Sequence, residues 1–151
     1  MTTIGNSAGR QEIVGRIARL SSSDRAAWGK MSVHQMICHL TDSYRIALGE
    51  RTASPATGLI QRTLIKWIAL WAPIRWAKVY QTRPEVEQGN GGSLPKDFER
   101  DRAELLEAVK RFCENLPPEA PPHPVFGKMS AAEWWRWGYL HADHHLRQFG
   151  R

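Results

Sequence analysis

Residues 130–150 read SAAEWWRWGYLHADHHLRQFG, and this stretch decides the fold class. Ser130 and Glu133 stand in the S-x-x-E order of a capping box, in which the two side chains satisfy each other's backbone N–H groups at a helix start. Gly150 follows the last apolar residue, Phe149, as glycine commonly does just past a helix end. Between these signals Trp134, Trp137, His141, His145 and Gln148 recur at steps of three and four, which puts them on one helical face. The stretch predicts one capped helix over Ser130–Phe149.

A shorter form of the same opening occurs early in the chain. Trp28-Gly-Lys-Met-Ser32 parallels Phe126-Gly-Lys-Met-Ser130: an aromatic residue, then GKMS, then a helix. The match is too short to establish duplication, but it gives both helices a common starting point. Ser32 and Gln35 make a second capping box, and the helix is expected over Ser32–Leu48, stopped by Gly49 and the polar run to Ser54–Pro55. Ile13, Val14, Ile17 and Leu20 place a helix over Gln11–Leu20. A Trp-rich, basic helical segment covers Gly58–Tyr80, with Pro73 expected to kink or split it. Thr82–Pro95 contains QGNGG and reads as a loop. A further helix, Lys96–Asn115, carries Asp97, Glu99 and Asp101 in its first turns, where the helix dipole favours acids. Its Phe98, Leu105, Leu106, Val109 and Phe112 form one apolar stripe. The proline-rich stretch 116–124 is a stiff connector. No stretch reads convincingly as a strand. The expectation is an all-α, antiparallel helical bundle in one domain spanning 1–151.

Composition narrows the function classes. Hydrophobic residues make up 42% of the chain and charged residues 24%, proportions of a globular rather than a disordered chain. The longest apolar region, Leu64–Ala77, is interrupted by Lys66, Pro73 and Arg75 and falls short of the roughly 20 residues a spanning helix needs. No transmembrane segment is expected. Cys38 and Cys113 are too few and too far apart for a disulfide framework, and Met1–Arg16 has no apolar run of the signal-peptide kind. A reducing, cytoplasmic setting follows as the expectation. The formal charge of +6 is uneven: Arg51, Lys66, Lys78 and three further arginines lie between Arg51 and Arg83, with no acid among them. Such a patch suits nucleic acid, an acidic lipid surface or an anionic substrate. No nucleic-acid motif accompanies it, so it reads as a solvated basic helix face.

The histidines carry the chemistry. With each serine cap as origin and about 100° per residue, His39 falls at about 340° and His141 at about 20°. They project in similar directions from two helices with the same start, and His145 stands one turn beyond His141. Two histidines at i and i+4 plus a third from another helix suit a first-row divalent ion, because neutral imidazole offers one lone pair and keeps its other nitrogen for an outer hydrogen bond. Three protein ligands leave a position for water or substrate. On spacing alone His144 competes with His145, and a lone His39 at the edge of its apolar stripe also fits a structural histidine. Trp134 and Trp137 are expected to wall the site, Gln148 to hydrogen-bond a ligand or water, and Ser43 to face the same way. Asp143 points away and reads as a surface or outer carboxylate. His34 reads as exposed, His123 as a connector residue, Cys113 as a core thiol, and Cys38 as no ligand. WWRW at 134–137 reads as core packing.

WGKMSVHQMICHL at 28–40 and HPVFGKMSAAEWWRWGYLHADHHLRQFG at 123–150 resemble the DinB-like (damage-inducible, YfiT-related) superfamily, in particular its small branch of uncharacterised bacterial proteins. The resemblance implies a four-helix bundle of up-down-down-up connectivity, with Gly58–Tyr80 as part of an extra crossover between the second and third core helices. It also implies one divalent metal ion held by His39, His141 and His145, which selects His145 over His144. Some relatives of the superfamily are S-transferases that use low-molecular-weight bacterial thiols such as bacillithiol or mycothiol; others have been viewed as hydrolases.

The expected function is therefore that of a metal-dependent protein. As an enzyme, it would use zinc, nickel, iron or manganese to activate a thiol or a water. The substrate would be a small molecule, with Gln148, Ser43 and Asp42 as weak candidates for orienting it. The alternatives are a non-catalytic, metal-stabilised structural or stress-response protein, and a helical adaptor whose basic segment docks on a membrane surface. A homodimer is compatible with such bundles.

Overall fold

A computed structural model describes residues 1–55, 58–76, 78 and 91–151. Among them are five α-helices: α1 (Ser7–Ala18), α2 (Val33–Ala47), α3 (Lys66–Trp71), α4 (Phe98–Glu114) and α5 (Ala131–Gln148). A π-helical turn, Gln61–Ile65, runs directly into α3. The described residues contain no strand, only one isolated bridge between His123 and Gly127. The described residues are thus all-helical and compatible with a helical bundle.

The helix starts follow the capping chemistry. α2 and α5 begin at Ser32 and Ser130, and both capping boxes are complete. Asp97 caps α4 by accepting from the Arg100 N–H at 2.8 Å. The first helix begins earlier than its apolar spacing suggests. Asn6 accepts from the Gly9 N–H at 2.8 Å and starts α1 at Ser7, ahead of any apolar periodicity. Leu20 lies beyond Ala18, the last residue of α1, yet it remains buried.

The Gly58–Tyr80 expectation needs shortening. Ala72, just before Pro73, is extended at φ −69° and ψ 143°, since a proline ring disfavours helical backbone in the residue before it. α3 therefore ends at Trp71, and Trp76 turns back to donate to the Ala69 carbonyl at 2.7 Å. Ala77, Val79, Tyr80 and most of the expected Thr82–Pro95 loop lie outside the described residues.

The core joins Ile13 and Ile17 of α1, Met36, Leu40 and Tyr44 of α2, Leu105, Val109 and Phe112 of α4, and Trp134 and Leu146 of α5. α2 packs chiefly on α4, α1 on α5 and α4, and α5 also on α2 and α3. The buried Tyr44 hydroxyl donates to the Gly138 carbonyl at 2.9 Å. Gly138 lets α4 come close: a Cβ there would lie 2.7 Å from the Phe112 ring.

Arg62, Arg75 and Lys78 of the basic segment are exposed, as expected, but Arg51 and Lys66 are drawn into ion pairs. Arg51 pairs with the buried Asp42 carboxylate at 3.0 Å, and Lys66 pairs with Glu133 at 2.8 Å. Lys78 lies over the Trp28 ring, 5.1 Å from its centroid. Lys66 and Lys78 thereby join distant parts of the chain. By contrast, Leu59, Ile60, Leu64 and Trp67 are exposed. No helix among the described residues is long and apolar enough to cross a membrane.

Candidate metal centre

The two GKMS turns are near copies in space as well as in sequence. Ser32 sits at φ −72°, ψ 163° and Ser130 at φ −73°, ψ 164°. Gly29 and Gly127, three residues earlier, have φ of +79° and +68°, a region glycine occupies without the steric cost of a Cβ. From these matched starts His39 of α2 meets His141 and His145 of α5. Ring centroids lie 5.2 Å apart for His39–His141, 4.8 Å for His39–His145 and 4.9 Å for His141–His145, a nearly equilateral triangle. The ligating nitrogens all fall within 4.8 Å of one another, so the three residues form a group able to hold a metal ion. His39 Nε2 and His141 Nε2 are 3.2 Å apart. Two imidazole nitrogens on a tetrahedral zinc stand about 3.3 Å apart, from Zn–N bonds of about 2.05 Å.

Hydrogen bonding defines the protonation of His145. Gln148 donates through Nε2 to the Trp28 carbonyl at 2.7 Å, which turns its Oε1 toward His145. His145 Nδ1 is 3.0 Å from that oxygen and must carry the proton, which leaves a lone pair on Nε2. Burial, reinforced by the neighbouring rings, holds His141 and His145 well below the usual histidine range. Both are therefore neutral near pH 7, as metal ligation requires. His141 Nδ1 is buried and has no hydrogen-bond partner among the described residues, so its neighbourhood does not dictate a tautomer.

Aromatic rings close much of the site. Trp137 lies 4.8 Å from His141, centroid to centroid, and Trp76 lies 6.1 Å from both His141 and His144. Trp28 meets His144 edge-on at 6.0 Å. Trp134 sits one layer deeper, at 5.2 Å from Trp137 and against Phe112. Trp76 also lines a cleft of about 270 Å³, together with Ile74, Arg75, Leu140, Asp143 and Arg147.

The other candidates take varied places. Gln148 touches His145 itself. Ser43 Oγ donates to the His39 carbonyl at 2.8 Å, which ties it to its own helix. Asp42 is fully buried and accepts from Arg51, from the Ser93 N–H at 2.7 Å and from the Ser93 hydroxyl at 2.7 Å. Its carboxylate anchors the chain around Ser93. His144 stands beside the triangle, outside the ligating group. Asp143 pairs with Arg16 at 2.8 Å and Arg147 at 2.9 Å and joins α1 to α5. His123 is more than a connector: it is buried, stacks on Phe126 at 4.7 Å, and its Nδ1 accepts from the Val125 and Phe126 N–H groups at 3.1 Å each. His34 is not exposed on a polar face; its Nε2 lies 2.7 Å from Asp101 Oδ2.

Sequence reasoning missed the parts of Trp28 and Trp76. The aromatic residue heading the GKMS echo was a signal for Trp28. Nothing in the local pattern pointed to Trp76, because its place depends on the reversal after Pro73.

A family model described as "Protein of unknown function (DUF1569)" matches residues 8–151. No curated protein and no solved structure matches the chain.

Proposed function

The chain belongs to this family of proteins of unknown function, and we propose that it is a DinB-like, metal-dependent protein whose His39, His141 and His145 hold one divalent ion. One observation carries the proposal: imidazoles 102 residues apart in sequence meet at 3.2 Å, with the third ring completing the triangle. The helix contacts also support a DinB-like arrangement. α1, α5, α2 and α4 touch in a closed cycle, as four core helices of a bundle do, with α3 in the crossover. The antiparallel up-down-down-up path belongs to the same proposal.

The reading favoured for this centre is an enzyme of small molecules, a transferase using a low-molecular-weight bacterial thiol or else a hydrolase. A bound zinc, nickel, iron or manganese ion supplies Lewis acidity that lowers the pKa of a thiol or water. The chain's own residues do the rest. Gln148 holds the His145 ring with Nδ1 protonated. Trp76 and Trp137 exclude water and lower the local dielectric. Arg75 and Arg147, in the cleft behind Trp76, suit an acidic thiol or other anionic substrate.

A second reading rests on the aromatic cover. Rings packed this closely suit an ion that ties α2 to α5 without turnover, adding its binding energy to folding.

Metal content of the purified chain, measured beside a His39→Ala variant, tests the centre. The variant should carry one equivalent less; equal content in both contradicts the proposal. A screen of bacterial thiols with a small electrophile then separates the readings. Metal-dependent thiol consumption supports the enzyme, and a chelator-sensitive melting temperature without consumption supports the structural tie.

A further inference from the structure

α2 carries a second set of ligating side chains on a different side from His39. His34 and Cys38 stand one turn apart, and Asp101 of α4 meets them. Their ligating atoms all lie within 4.8 Å of one another. Asp101 Oδ2 is 2.7 Å from His34 Nε2 and 3.9 Å from Cys38 Sγ, and it accepts the Lys96 N–H at 2.9 Å. One oxygen thus faces all three neighbours, and the Asp97 backbone also hydrogen-bonds the carboxylate. Phe98 holds the His34 ring edge-on at 5.4 Å, and Cys38 is buried at 5% exposure.

A hydrogen-bonded His34–Asp101 pair beside a core thiol accounts for part of this. It does not account for the opening. Cys38 and Asp101 line a cleft of about 400 Å³ whose other walls include Leu94, Arg45, Lys96 and Glu104. A core thiol packs against apolar atoms on all sides; this one opens on a cleft, next to an imidazole and a carboxylate.

We infer that His34, Cys38 and Asp101 form a second divalent-cation site, separate from the histidine triangle and suited to zinc. The donor set is one nitrogen, one sulfur and one oxygen. Thiolate selects against magnesium and calcium, and the mixture matches zinc's borderline softness and tetrahedral habit. On binding, the zinc–sulfur bond forms as the Cys38 proton passes to water; His34 binds neutral and Asp101 as carboxylate. The cleft provides the fourth position, for water or an exogenous ligand. The site joins α2 to α4, whereas the triangle joins α2 to α5.

Cobalt(II) added to the metal-free full chain tests this site apart from the triangle, which contains no sulfur. A His39→Ala/His141→Ala variant should still develop a sulfur-to-cobalt charge-transfer band in the near ultraviolet. The band should vanish on adding Cys38→Ser and persist on adding Cys113→Ser. His34→Gln and Asp101→Asn should each weaken cobalt binding at least tenfold. If the double variant does not fold, the wild-type chain gives the same readout. Absence of the band in folded wild-type protein, or its survival in Cys38→Ser, overturns the inference.

Discussion

Gln148 shares its amide between the Trp28 carbonyl and His145 Nδ1, and through the second contact it sets a histidine tautomer. Outer hydrogen bonds of this kind are worth roughly 10–100-fold in metal affinity. Gln148→Leu should therefore weaken binding at the triangle by about that factor, read by competition with a chromophoric chelator; unchanged affinity would show that the amide has no such role. His123 gives a second prediction. Burial pushes its imidazole down to about 3, whereas in the unfolded chain it protonates near pH 6.5. Between those values the unfolded state binds the extra proton. The stability is fully present above about pH 6.5 and is lost as pH falls toward about 3. His141 and His145 shift in the same direction in the metal-free chain. Urea midpoints of that form should fall steadily below pH 6.5. His123→Asn, which keeps an acceptor for the Val125 and Phe126 N–H groups, should flatten the slope; an unchanged slope argues against this account. The spacing of residues 130–150 put His141 on one face with a histidine a turn away, but spacing alone did not choose between His144 and His145. Spacing could not reveal that His34 is held by Asp101 or that Asp42 serves Ser93, because those pairings depend on side chains 67 and 51 residues apart.

At the scale of elements, the capped starts of α2 and α5 and the ends of α2, α4 and α5 were readable, whereas the start of α1 and the end of α3 were not. Ser32/Gln35 and Ser130/Glu133 declare themselves because the capping chemistry is local. Asn6 does not, since a single asparagine ahead of polar residues is a weak signal. The end of α3 is set by Pro73, which the sequence marked only as a kink or split, and the return of Trp76 onto the site had no local signal. Loss of the α5 cap in Ser130→Ala should cost about 1 kcal/mol, visible in urea unfolding with an unchanged m-value. Gly138 supplies a sharper test. Alanine is the better helix former by about 1 kcal/mol, so propensity alone says Gly138→Ala stabilises α5. The Phe112 ring, 2.7 Å from the would-be Cβ, says the opposite. Overpacking of about 1–3 kcal/mol should win, and the variant should unfold at lower urea; an increase in stability would mean that α4 and α5 yield easily.

Across the whole molecule, the all-helical class was legible because the apolar periods are strong and no alternating stretch competes with them. The internal use of the basic segment was not, since Arg51 and Lys66 find their acids at Asp42 and Glu133 only after folding. An ion that binds the folded chain alone shifts unfolding by mass action, about 2.7 kcal/mol at a hundredfold excess over Kd, or roughly 5–10 °C in Tm for a chain of this size. Zinc added to the metal-free Cys38→Ser variant should produce that rise, and His141→Ala in the same background should remove it. The triangle itself is seen most directly in imidazole ¹⁵N–¹H spectra of the Cys38→Ser chain titrated with one equivalent of zinc. One ring nitrogen each of His39, His141 and His145 should move together to the metal-bound position while His123 stays in place; three unmoved rings at saturating zinc would contradict the proposed metal centre.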